Sequence, residues 1–207
     1  MKLTTSIIEK TLNYAYTKAL SDIPGLDSAY DMAEEYSVSG NKYDNANKLI
    51  RWQIAKCATS GFLTGIPGFL AMPVTIPANF ASVWYVQLKM IAAIAIMAGY
   101  DVKSDKVKTL AFCCLVGSSA ADVGKQFGIK AGQKIAENLI KKIPGQLIME
   151  INQQVGFRLL TKFGEKGLVN LGKCVPVFGG MLSGTIDAIS TNTIGNIARD
   201  VFIGKQK

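Results

Sequence analysis

From Cys57 to Leu88 this chain carries no charged residue, and the run continues to Tyr100 with one interruption, Lys89. A stretch that apolar has to be withdrawn from water, into protein or into lipid. It divides into two parts. Gly61, Gly65, Pro67, Gly68 and Pro73 interrupt the backbone repeatedly, which predicts a broken connection rather than a straight helix through 61–77. Pro77 then suits the first turn of a new helix, where its missing N–H costs nothing, and this helix is predicted over 77–100. At about 20 mostly apolar residues it has the length of a bilayer span. Lys89 at its middle opposes that reading, because a mid-span lysine costs roughly 2.5–3.5 kcal/mol on insertion scales. At about 100° per residue, Asn79, Ser82, Gln87 and Lys89 share one broad arc, with Phe80, Trp84, Leu88, Ile91 and Ala95 opposite.

The flanking segments read as amphipathic helices. Over 3–20, Ile8, Leu12, Ala15 and Ala19 fall on one face, and Pro24-Gly25 ends the element. Asp27 is the expected cap of a short acidic helix ending near Tyr36, and Asp44 that of a helix reaching about Ser60. Thr109–Ala121 and Cys174–Ile186 are further uncharged stretches. Between them, a helix over about 125–142 aligns Ile135, Leu139, Ile140 and Ile143. Pro144-Gly145 breaks it, and a helix over 146–163 aligns Ile148, Ile151, Val155 and Leu159. No segment shows the alternation of a strand. The expected fold is all-α: a compact multi-helix domain around a long, nearly uncharged central helix, with Gly/Pro-rich connections. Its 207 residues suffice for a core without disulfides or metals. Residues 1–43 read as an N-terminal helical extension and 44–207 as the main helical domain.

The net charge of +8 is concentrated. Residues 124–173 carry nine Lys/Arg against three Asp/Glu, whereas residues 1–60 balance at seven each. Lys130, Lys134 and Lys141 fall within about 40° on a helical wheel, with Lys142 beside them. This basic face is a solvated surface or a contact for anionic headgroups. No aromatic interleaving points to nucleic acid.

Chemistry is sparsely marked. The chain has no histidine, which removes imidazole bases, Ser-His and Cys-His pairs and mixed zinc sites. Cys57, Cys113, Cys114 and Cys174 form no C-x-x-C pair, and at least three of them sit in apolar surroundings, as buried free thiols do. Gly61, Gly65 and Gly68 do not make a dinucleotide fingerprint, and no phosphate-binding loop or nucleophile elbow is present. No catalytic, cofactor-binding or metal-binding residue is assigned, and no cofactor is expected. No export signal is read at the N-terminus, where Glu9 and Lys10 interrupt any apolar core. The expected location is the cytoplasmic side of a membrane, peripheral or partly inserted.

Three candidate sites remain. Phe62, Phe69, Leu70 and Met72, with Trp84, form a candidate membrane or partner contact; the plain alternative is a tight helix–helix connection. The lysines above form a candidate basic face. Asp187, isolated among apolar residues, is a candidate buried polar site with Thr191 and Arg199 as available partners.

These segments resemble a known family. Gly61 through Leu70, Met72-Pro73, Ile76-Pro77-Ala78, Gln87 and Gly99-Tyr100-Asp101 are similar in order and spacing to the EcsC family of bacterial proteins. So are Ile151-Asn152, Val155-Gly156, Phe163-Gly164, Val169 through Lys173, Val175 through Gly180, Gly184, Asp187, and Thr193 through Ala198 with Phe202. The likeness covers about 45–203, so 44–207 is expected to be an EcsC-like domain. A weaker likeness is to the helical domain that follows some bacterial GTPase domains. The family resemblance implies a helical, membrane-associated protein and no established catalytic residues. Asn79 stands where relatives often carry an acidic residue. The leading expectation is a non-enzymatic protein contacting lipid or a membrane protein. The alternative is a soluble interaction module that buries its apolar helices in its own core and binds a protein partner.

Overall fold

The structure is a computed structural model that describes residues 4–38, 40–58, 78–117, 119–125, 135–163 and 181–205. Within these, the side chains of 56–58, 78–80, 120, 124, 162–163 and 181–188 lie outside the description. The described chain forms nine helices and no strand, in agreement with the all-α expectation. They are α1 (Thr5–Ala19), α2 (Ala29–Tyr36), α3 (Lys42–Ala58), α4 (Ala78–Ala98), α5 (Asp105–Val116), α6 (Ala120–Lys125), α7 (Ile135–Lys142), α8 (Gly145–Phe163) and α9 (Met181–Phe202).

The N-terminal helices follow from local chemistry. Thr4 caps α1 by accepting a hydrogen bond from the Ile7 N–H at 3.3 Å. The expected stripe of Ile8, Leu12, Ala15 and Ala19 is buried, with Thr11 and Tyr16 beside it. Pro24 and Gly25 form the predicted turn. Gly25 takes φ +81°, a left-handed conformation that glycine adopts freely, and Leu26 N–H donates to the Ile23 carbonyl at 2.9 Å. Two caps differ from expectation by position. Ser28, not Asp27, caps α2 through a reciprocal box with Asp31. At α3 the Asn41 side chain accepts from the Asp44 N–H at 2.9 Å, so Asp44 sits three residues inside the helix. Aspartate at the third helical position complements the helix dipole, which is why it resembled a cap in the sequence.

α4 is the centre of the molecule. It touches α1, α2, α3, α5 and α9, and 83% of Ala81–Ala98 is buried inside the protein. Both faces of its wheel are covered: Trp84, Leu88, Ile91 and Ala95 on one side, Ser82, Gln87 and Lys89 on the other. Its end is firmly made. Gly99, at φ +95°, closes a Schellman motif in which Gly99 N–H donates to Ile96 O at 2.8 Å and Tyr100 N–H to Ala95 O at 3.0 Å. Lys42 adds a bond to the Ala98 carbonyl at 3.1 Å.

α1 and α2, the segment expected as an extension, contribute to the same core as the later helices. Tyr16 donates to the Val102 carbonyl at 3.0 Å and meets the edge of Phe112 at 5.8 Å between ring centroids. Close helix contacts depend on two glycines. A Cβ on Gly156 of α8 would lie 2.8 Å from Thr5 Cγ2, and one on Gly195 of α9 would lie 2.7 Å from Ile50 Cγ1. The predicted inner stripes of α7 and α8 are buried at Ile135, Leu139, Ile143, Ile151, Val155 and Leu159. Cys113 and Cys114 are free and buried in α5, as expected of core thiols.

Candidate functional site

The sequence-derived candidates separate into those the core absorbs, those on the surface and those outside the described residues. Phe62, Phe69, Leu70 and Met72, and the 61–77 connection that carries them, lie outside. So do Lys130 and Lys134, and the thiols of Cys57 and Cys174.

Trp84 is a core residue. It is 3% exposed, so as the molecule stands it is not a surface contact. Its burial follows from its place on the helix that every early element packs against. The polar arc of α4 is likewise internal, and its groups find partners far away in sequence. Gln87 Nε2 donates to Ser190 Oγ at 2.9 Å and to Thr191 Oγ1 at 3.4 Å. Lys89 Nζ donates to the Asp27 carbonyl at 3.0 Å and lies 5.1 Å from the Tyr85 ring centroid.

The expected grouping of Asp187 with Thr191 and Arg199 takes a different form. Asp187 falls on α9, and its side chain is outside those described. Thr191 is fully buried and engages Gln87 of α4. Arg199 lies twelve residues along the same helix, about 18 Å at 1.5 Å per residue, beyond the reach of Asp187. Its partners are Asp200 Oδ1 at 2.8 Å, Asn196 Oδ1 at 2.7 Å and Asn47 Oδ1 at 2.5 Å, and its guanidinium stacks 4.3 Å from the Tyr43 ring centroid. Four of the five guanidinium N–H donors are thus engaged, and they tie α9 to α3.

What remains accessible is the corner between α7 and α8. Lys141 and Lys142 are exposed, Ile143 turns inward, and residues 144–147 are all exposed. Leu147 and Met149 are exposed apolar side chains, 40% and 67% respectively. The corner is held from behind: Lys106 Nζ of α5 donates to the Ile140 carbonyl at 2.9 Å, and Ile143 N–H to Leu139 O at 2.8 Å. Lys141 pairs with Glu137 one turn earlier at 2.8 Å, and the hydrogen bond to that carboxylate raises the lysine pKa. The sequence marked the lysines through charge density, but it did not mark Leu147 and Met149. Alternate faces of one helix carry them, so they make no apolar stripe with each other.

Among the described residues no group of three or more Cys, Asp or Glu is arranged to hold a metal ion. Burial pushes the Cys113 thiol up to about 12, and Cys114 is raised as well, so neither supplies a thiolate near neutrality.

No curated protein and no solved structure matches the chain. The model of the EcsC protein family matches residues 3–203. That match takes in α1 and α2 as well as the region of the motifs quoted above. Since it covers nearly the whole sequence, the chain belongs to the EcsC protein family.

Proposed function

We propose that the protein is a non-enzymatic helical module that docks peripherally on an anionic membrane surface through the α7–α8 corner. The observation that carries this reading is the joint exposure of Lys141, Lys142 and Leu147 at one turn of the chain. Lysines near an anionic surface contribute about 1 kcal/mol each, and a few apolar side chains add contact with the acyl boundary. The surplus of positive charge over 124–173 supports the same orientation. α4 serves a different purpose in this reading. Its length and apolarity suit the centre of a soluble-type core, and its buried Gln87 and Lys89 already have protein partners.

The test is flotation of the full chain with vesicles of neutral lipid, or of neutral lipid with about one-third anionic lipid, at low and high salt. Flotation with the anionic vesicles, reversed by salt, is expected. Lys141→Glu with Lys142→Glu should abolish it. Absence of flotation under every condition contradicts the reading.

The enclosure of α4 also favours a second reading, a soluble interaction module that uses an exposed helical face for a protein partner. Flotation separates the two.

A further inference from the structure

We propose that the outer face of α8 is a self-complementary surface that pairs antiparallel with α8 of a second copy of this chain. This inference does not depend on the lipid reading. The inner side of α8 is consumed by the core at Ile151, Val155 and Leu159. Its outer side carries two adjacent rows at helical spacing, Met149–Gln153–Phe157 and Glu150–Gln154–Arg158, and all six residues are exposed. Met149 is 67% and Phe157 59% exposed, two large apolar side chains about two turns apart on the outer side of one helix. All of these except Met149 line an open depression of about 420 Å³.

The order of the residues is what selects the partner. Each row is centred on a glutamine, with unlike groups four residues to either side. Glu150 and Arg158 are about 12 Å apart along the axis and cannot reach each other. Neither has an ion pair among the described residues. A two-fold axis passing near Gln153 and Gln154 places Glu150 of one copy against Arg158 of the other, and the reverse contact follows by symmetry. The same operation lays Phe157 over Met149 of the second copy, a sulfur–aromatic contact made twice. A parallel pairing would instead set Glu150 against Glu150 and Arg158 against Arg158. One arrangement therefore satisfies both rows at once, and the charge pattern rejects the other.

Sedimentation velocity of the full chain from low to high micromolar concentration tests the pairing. A dimer that dissociates on dilution is expected. Glu150→Arg and Arg158→Glu should each weaken it by about tenfold or more, since each sets like charges face to face. The combined variant should recover dimerisation to within about threefold of the parent. A purely structural role for these side chains would not produce that recovery. Register is read separately by oxidative crosslinking. Gln154→Cys, near the axis, should crosslink to itself. Gln146→Cys, whose two copies would lie about 24 Å apart, should not. A monomer across the whole range overturns the proposal, as does a dimer indifferent to the single charge reversals. Equal crosslinking at 146 and 154 also overturns it. Should a charge variant lose helicity, the two cysteine variants decide the matter alone.

Discussion

Lys89, at the middle of the most apolar helix, holds its ammonium 3.0 Å from the backbone carbonyl of Asp27, in the turn that leads into α2. The same ammonium faces the Tyr85 ring. A charge taken out of water is costly unless it is paired, and here a carbonyl and an aromatic face pair it. The contact fastens the α1–α2 segment over α4 and gives the lysine a role that a lipid-spanning helix would not provide. Lys89→Ala is therefore expected to lower stability by about 2–3 kcal/mol in urea unfolding, from a lost charged hydrogen bond and a cavity. Lys89→Met, which keeps the stem and sheds the buried charge, should cost less than half of that. Equal losses for the two would show that the buried stem contributes nothing and contradict this division.

At Gly195, α9 packs tightly against Ile50 of α3 and Met90 of α4. A Cβ there would lie 2.7 and 3.0 Å from two carbons of Ile50 and 3.1 Å from Met90 Cε. Gly195→Ala is expected to destabilise by about 1–3 kcal/mol through overpacking, despite the better helix propensity of alanine. Combining it with Ile50→Ala should cost less than the sum of the two single changes, because the truncation vacates the space that the new methyl needs. Strict additivity in thermal melts would contradict this packing.

Arg199 joins Asn47 and Tyr43 of α3 to Asp200 beside it, with its side chain 12% exposed. Lysine has neither the planar fork nor the stacking face. Arg199→Lys should thus lose about 1–2 kcal/mol of stability, measured by denaturant midpoint, while leaving lipid binding unchanged. A neutral result would mean that the stack and the fork are idle.

Alkaline pH should weaken the fold. Burial raises Cys113 from 9.0 to about 12 and Tyr85 from 10.0 to about 12. The unfolded chain gives up these protons first. The stability they contribute is therefore complete below about pH 9 and declines as pH rises towards 12. Urea midpoints taken from pH 7 to 11 should fall over the upper part of that range. At pH 7.5, peptide mapping after alkylation should find Cys113 and Cys114 unmodified in the folded protein.

The helical stripes were legible in sequence because they are local. Ile8, Leu12 and Ala15 on α1, and Ile151, Val155 and Leu159 on α8, follow from a period of 3.6 residues, and all are buried. Ser28 escaped notice beside Asp27 because both residue types make good caps and only the chain's entry angle chooses between them. The polar arc of α4 was visible, but its meaning was not. Gln87 finds Ser190 across 103 residues and Lys89 finds Asp27 across 62. A wheel drawn from one segment cannot contain such partners, so an internal polar seam looks the same as an exposed one. Trp84 was expected at a contact surface for the same reason. Conversely, Phe157 and Met149 were unmarked because α8 already had a satisfactory apolar face turned inward.

Trp84 offers the most direct test of the central claim, that the protein meets a membrane at its periphery while α4 stays within its own core. The chain has two tryptophans, so Trp52→Phe leaves Trp84 as the sole indole reporter. Anionic vesicles with brominated acyl chains, titrated into that variant, report both events: flotation reads binding and fluorescence reads proximity to the chains. The account predicts salt-reversible binding with Trp84 emission unquenched. Quenching of Trp84 on binding would place α4 in the acyl region and contradict it.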